Sequence, residues 1–110
     1  ARNVTGPLAY MSPEQIDGIK DLSPASDIFS LGVVYYEMVT GKNPFISDQM
    51  ARMIKNISSC DYVPISKIRP GLHKSIDKIV SKMLRSSPAD RIQDALKFGM
   101  LLIQYYWKME

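Results

Sequence analysis

The chain has one cysteine, Cys60, and one histidine, His73, in 110 residues. A lone cysteine closes no internal disulfide, and Cys60 with His73 falls short of the ligand set of a structural zinc. That cysteine usage fits a reducing, cytoplasmic setting. No dense basic run is present. Fourteen Lys and Arg are scattered among eleven Asp and Glu, for a net charge of +3, a pattern that argues against a surface following a nucleic-acid backbone. Long apolar stretches are also lacking. The most apolar run, Met100 to Ile103, is far short of the ~20 residues that cross a bilayer, and the N-terminus has no signal-peptide pattern. Repeats and low-complexity tracts are absent as well.

What is present is enough apolar material, 45% of residues, for one modest core but not for two independent domains. Turn-forming clusters at Asn43-Pro44, Ser58-Ser59 and Arg69-Pro70-Gly71 punctuate the chain. Ser12-Pro13-Glu14-Gln15 predicts a helix start, with Ser12 as N-cap, Pro13 at the first position and Gln15 completing a capping box; a short helix to about Gly18 follows. From Asp27 to Val39, apolar and aromatic residues occupy every face of a helical wheel, which predicts a central helix buried all round. Thr40-Gly41 ends it, and Pro44 blocks a restart. Gly32 inside this helix costs roughly 1 kcal/mol relative to Ala, which implies a close approach by another backbone.

Met50, Met53, Ile54 and Ile57 then give an amphipathic surface helix. Ile76, Ile79, Val80, Met83 and Leu84 give a second, with Lys78, Ser81, Lys82 and Arg85 on its opposite face. Ser87-Pro88-Ala89-Asp90 is expected to cap a last helix whose buried stripe is Ile92, Ala95, Leu96, Gly99, Leu102, Ile103 and Tyr106. The expected fold class is all-α, with helices packed around one hydrophobic central helix.

Four segments in order carry a resemblance: Ser12-Pro13-Glu14; Ser26-Asp27 with Gly32 five residues later; Thr40-Gly41-Lys42-x-Pro44-Phe45; and Leu84-x-x-x-Pro88-x-x-Arg91. Ser12-Pro13-Glu14 by itself is an ordinary helix cap. Joined to the other three, the set resembles the C-terminal lobe of eukaryotic-like (Hanks-type) protein kinases, and the run from Ser26 to Phe45 resembles bacterial serine/threonine kinases in particular. The resemblance covers about Thr5 to Ala95. It implies the C-terminal part of a kinase domain over residues 1–98, with 99–110 continuing the last helix or forming a tail.

The resemblance also implies roles for individual residues. Glu14 is expected to form a buried ion pair with Arg91, pinning the end of the activation segment to a distant helix; the alternative is two unrelated surface charges. Asp27 corresponds to the carboxylate that holds the catalytic loop, and a carboxylate at a helix N-terminus is favoured by the helix dipole in any case. Gly6, Pro7, Leu8, Ala9 and Tyr10 correspond to the loop that reads the substrate residue beside the phosphorylated hydroxyl. Position 7 departs from the serine/threonine pattern, which has Thr there. Tyrosine kinases carry Pro at this point, but they tend to have Trp where this chain has Tyr10, which leaves the substrate class open. Thr5 is a candidate regulatory phosphorylation site, set against an unmodified loop threonine. The Met50 stripe is either a docking surface or core packing, Tyr105-Tyr106-Trp107 either an interfacial anchor or an apolar helix end, and His73 a surface residue where a helix begins.

A kinase holds ATP and Mg²⁺ with a Gly-rich loop, a strand Lys, Asp-Phe-Gly and an Asn, and orients the hydroxyl with the Asp of His-Arg-Asp. None of these motifs occurs in residues 1–110, and the chain begins at Ala1 without an initiator Met. Two functions are therefore expected as alternatives. One is the C-terminal piece of a serine/threonine kinase, arising by truncation or a split gene, inactive alone, with ATP and Mg²⁺ used only by the intact parent. The other is a non-catalytic, pseudokinase-like docking module. Its partners would be a protein substrate or the remainder of the kinase domain.

Overall fold

The computed structural model describes residues 8–109, apart from the side chains of Ala95 and of residues 105–109. Thr5, Gly6 and Pro7 lie outside the described residues. Among those described, every regular element is helical: α1 (Pro13–Ile16), α2 (Pro24–Thr40), α3 (Met50–Ser59), α4 (Ile65–Ile68), α5 (Ser75–Ser81) and α6 (Ala95–Met109), with 3₁₀ turns at Leu8–Tyr10 and Pro88–Asp90. No described helix is long and apolar enough to cross a membrane.

The Ser12 capping box forms as expected: the Gln15 N–H donates to Ser12 Oγ at 3.3 Å while the Ser12 N–H donates to Gln15 Oε1 at 2.8 Å. Helix α2 begins three residues before the expected Asp27. A second Ser-Pro pair starts it, Ser23 Oγ accepting the Ala25 N–H at 3.2 Å; polar capping residues precede the apolar pattern and so escaped it. The helix ends at Gly41, whose φ of +76° suits a residue without Cβ. Arg69 Nη1 donates to the Val39 carbonyl at 3.0 Å, placing a cation at the helix's negative end.

Two apolar clusters form the core. In the larger, Phe29, Val33 and Tyr36 of α2 meet Phe45, Met53, Ile57, Ile65, Val80 and Leu84; in the smaller, Ile28 meets Ile79, Met83 and Ile92, with Phe98, Leu101 and Leu102 of α6 packed against them. Helix α2 belongs to both and is the centre of the fold. It is not buried all round, however. Leu31 and Val34 are each 39% exposed and Met38 is 78% exposed. These residues share one face, because positions three, four and seven apart align on a helix.

Other expectations shift locally. In α3, Met53 and Ile57 enter the core while Met50 stays exposed, so the stripe is divided between packing and surface. Helix α4, four residues long, is too short to produce a readable period. Helix α5 ends at Ser81 rather than continuing through Leu84, and the turn that follows folds Met83 and Leu84 against α2. His73 is exposed, and its Nδ1 receives the Ser75 N–H at 3.1 Å just before α5. The last helix does not start at Ser87-Pro88. That segment is a 3₁₀ turn, Arg91 is extended, and α6 begins at Ala95 with Asp94 Oδ1 accepting the Lys97 N–H at 2.8 Å. Ile92 is thus buried from a loop, while Leu96 and Ile103 of the expected stripe are exposed.

The close approach at Gly32 comes from side chains. A Cβ built there would lie 2.9 Å from Met83 Cβ and 3.0 Å from Leu84 Cδ2. Met83 Cβ is fixed to its backbone and cannot swing aside, so the overpacking cost of about 1–3 kcal/mol outweighs the ~1 kcal/mol helix-propensity gain of alanine. Gly32→Ala is expected to lower the thermal midpoint. A raised midpoint would show that the turn after α5 is loose.

Candidate functional site: an ion-pair clamp and the loop beside it

Glu14, in the first turn of α1, and Arg91, 77 residues later, meet in the interior. The Arg91 side chain is 0% exposed and Glu14 is 7% exposed. The contact is a two-pronged fork: Nη1 donates to Oε2 at 2.6 Å and Nη2 donates to Oε1 at 2.7 Å. The remaining guanidinium protons go to main-chain carbonyls, Nε to Arg85 at 2.8 Å, Nη1 to Ala25 at 3.0 Å and Nη2 to Ser86 at 3.3 Å. All five N–H donors of the group are used. Ser26 Oγ adds a third bond to the carboxylate, 2.6 Å from Oε2. Beneath the fork, the Phe29 ring centre lies 4.9 Å from Arg91 Cζ, and Phe29 stacks on Phe45 with centroids 5.8 Å apart.

Burial pushes the Glu14 carboxyl upward, but the hydrogen bonds from Arg91 and Ser26, with the charge of Arg91, outweigh it and hold the pKa at about 2, below the ordinary 4.5. Two residues here were not anticipated in these roles. The sequence places Ser26 in a motif whose spacing does not point to Glu14, and Phe29 in the core; only the fold sets Phe29 under the guanidinium.

The described part of the expected recognition loop, Leu8, Ala9 and Tyr10, is a 3₁₀ turn seated on α2 and on the turn after it. Asn43 is buried there, its Nδ2 donating to the Ala9 carbonyl at 3.0 Å and its Oδ1 accepting the Phe45 N–H at 2.9 Å. Ser30 Oγ donates to the Tyr10 carbonyl. The Tyr10 hydroxyl donates to Glu37 Oε1 at 2.6 Å, which, with Glu37's charge, raises the Tyr10 pKa. Asn43 had been read only as a turn former, yet it fixes the loop. Asp27 lies on the exposed side of the first turn of α2 and, among the described residues, its carboxylate takes no hydrogen bond. The structure therefore brings Glu14 to Arg91 and Ala9–Tyr10 to α2, while Asp27 faces outward from both.

Removing one member of the clamp leaves a buried unpaired charge, so Glu14→Ala and Arg91→Ala are each expected to cost about 3–5 kcal/mol. The double variant should recover roughly 2 kcal/mol relative to their sum; strict additivity in chemical unfolding would show that the pair is not coupled. Acid should act on the same group. Because the folded pKa of Glu14, about 2, lies below its ordinary 4.5, the unfolded chain takes up the proton first. The contribution, on the order of 3 kcal/mol, is complete above about pH 5 and lost as pH falls toward 2. Stability measured against pH should lose this part in Glu14→Gln, and an unchanged acid limb would refute the assignment.

The chain matches the family described as "Protein kinase domain" over residues 1–100. It is 36% identical over 97 residues to serine/threonine-protein kinase PknL of Mycobacterium tuberculosis, an alignment covering 87% of this chain and 24% of PknL. With serine/threonine-protein kinase PknB of Mycobacterium leprae it shares 35% identity over 103 residues, covering 94% of this chain and 16% of PknB. The chain therefore spans about a quarter or less of the length of these relatives. Among solved structures, the twitchin kinase region of C. elegans superposes with a TM-score of 0.75 at 24% identity, covering 90% of this chain and 17% of that one, which is a likeness of fold. On the family match and on its bacterial serine/threonine kinase relatives, the chain belongs to the protein kinase family and corresponds to part of the C-terminal lobe.

Proposed function

We propose that the chain is the substrate-side, C-terminal portion of a serine/threonine protein kinase that transfers phosphate from ATP to protein hydroxyls, and that it is inactive by itself. The observation that carries this reading is the uncovered face of α2, where Leu31, Val34 and Met38 stand exposed on the helix at the centre of the fold. A central helix apolar on all sides is stable in water only when all sides are covered. The remainder of the domain is the occupant that the family relationship supplies.

In this reading the kinase portion occupies residues 1–98 and 99–110 continue its last helix, in keeping with the unbroken run of α6 from Ala95 to Met109. Gly6 to Tyr10 form the platform for the substrate residue next to the acceptor hydroxyl, and the anchoring of Ala9 by Asn43 holds it rigid. Asp27, exposed at the start of α2, is free to accept backbone hydrogen bonds from a catalytic loop. Thr5 is a candidate site of regulatory phosphorylation, where an added phosphate would pair with Arg. Serine/threonine preference rests on the relatives; Pro7 is the one residue that argues otherwise. The sequence has no Gly-rich phosphate loop, and we assign nucleotide and Mg²⁺ to the catalytic remainder, where the motifs that hold them in a kinase reside. A cytoplasmic location goes with ATP supply and with the free thiol of Cys60.

A second reading, a docking module without catalysis, is favoured by the exposure of Ile46 and Met50 beside α3. The two separate experimentally. The chain alone, and the chain fused behind the catalytic portion of PknL, are assayed for ATP-dependent phosphorylation of a generic serine/threonine substrate and for binding of a hydrophobic dye. The kinase reading expects no transfer and strong dye binding from the chain alone, transfer and little dye binding from the fusion, and loss of both gains in a Leu31→Asp, Val34→Asp fusion. Cooperative unfolding of the chain alone without dye binding, together with an inactive fusion, would leave the docking module.

A further inference from the structure

The most cation-rich concavity described lies between the end of α5 and the start of α6, a cavity of about 330 Å³ lined by Lys82, Arg85, Arg91 and Lys97, by Asp90, and by the apolar Ile92 and Leu101. The excess of basic over acidic residues is otherwise scattered along the chain, but the fold gathers these side chains from three separate segments. Their hydrogen-bonding states differ. Arg91 is spent on Glu14 and on carbonyls. Gln93, also in the wall, gives its amide to the carbonyls of Pro88, Ala89 and Arg91. Arg85 uses only its Nε, on the Ser81 carbonyl. Lys82 and Lys97 have no ion pair among the described residues, where Arg91 with Glu14 is the salt bridge found. Asp94, the nearest further carboxylate along the chain, has one oxygen engaged by the Lys97 N–H.

Three cations without an ion-pair partner among the described residues, Lys82, Arg85 and Lys97, stand against the single carboxylate of Asp90 and leave an excess of two positive charges lining the cavity. A phosphate monoester carries about −1.5 to −2 at neutral pH and presents three strong acceptor oxygens, whereas a carboxylate side chain offers one charge and two oxygens. The wall is not uniformly polar either. The half-buried Leu101 gives an apolar surface beside the cations, which suits a phosphorylated residue followed by an apolar neighbour better than a bare ion. We propose that this concavity binds a phosphorylated serine or threonine in a peptide segment, with Lys82, Arg85 and Lys97 holding the phosphate and Leu101 the adjoining side chain. The inference draws on charge and shape alone and does not rest on the catalytic remainder assigned above.

The test uses the protein at its natural full length, wild type and with Lys82→Gln, Arg85→Gln and Lys97→Gln singly and combined. Binding is read by fluorescence anisotropy with a short leucine-flanked phosphothreonine peptide, its unphosphorylated twin, inorganic phosphate as competitor, and vesicles containing anionic lipid. The phosphopeptide should bind at least tenfold more tightly than its twin. Each substitution should weaken it by about tenfold and the triple variant should abolish the preference, with the thermal midpoint unchanged because these side chains are not in the core. Equal binding of the two peptides, or a preference surviving in the triple variant, would overturn the proposal. So would competition by inorganic phosphate at concentrations equal to the peptide, which would mean an adventitious anion only, or binding to vesicles in place of the peptide.

Discussion

The clamp between Glu14 and Arg91 is the constraint on which the rest of the chain is arranged. Removing both charges from water costs several kcal/mol per ion, and the structure offsets this by filling every donor of the guanidinium and placing three hydrogen bonds on the carboxylate. Such a site tolerates little displacement, since the carbonyls it uses come from two separate segments. Ala25 ties it to the start of α2, Arg85 and Ser86 tie it to the turn after α5, and Glu14 ties it to α1. The clamp therefore adds a polar tie to segments that also meet through Met83 and Leu84 against α2. It also explains why α6 starts late: Arg91 reaches Glu14 from extended backbone, with ψ of 166°, and a helix through that residue would point the side chain elsewhere.

From the clamp, order passes to the loop through α2. Phe29 supports the guanidinium and stacks on Phe45, and Phe45 follows Asn43, which holds Ala9. The buried ion pair and the Leu8–Tyr10 turn are thus linked by aromatic rings and a buried amide. Asn43 bridges the two turns, donating to the Ala9 carbonyl and accepting the Phe45 N–H of its own turn.

Much of this was legible in the amino acids, and the limits are physical. The two Ser-Pro helix starts and the Gly41 stop act locally, so residue type announces them; the start at Ser23 was overlooked only because apolar periodicity begins later. Short helix α4 and the ends of α5 and α6 were not legible, because a period cannot be seen in four residues and because Met83, Leu84 and Ile92 are apolar whether a helix or a turn buries them. The apolar character of α2 was read correctly, but the extent of its burial was not. Hydrophobicity records the character of a face, not how much of it packs.

The sequence by itself determined the helical class, the central position of α2, the family, and the identity of the two residues that could form the clamp, because caps, periodicity and ordered motifs are encoded over short distances. Only the tertiary structure decided that Ser26, Phe29 and three carbonyls complete the clamp, that Asn43 secures the loop, that Gly32 is needed by Met83 and Leu84, and that Lys82, Arg85 and Lys97 face one cavity. These are encounters between residues far apart in the chain. Their existence depends on how helices are set against one another, which no local pattern specifies.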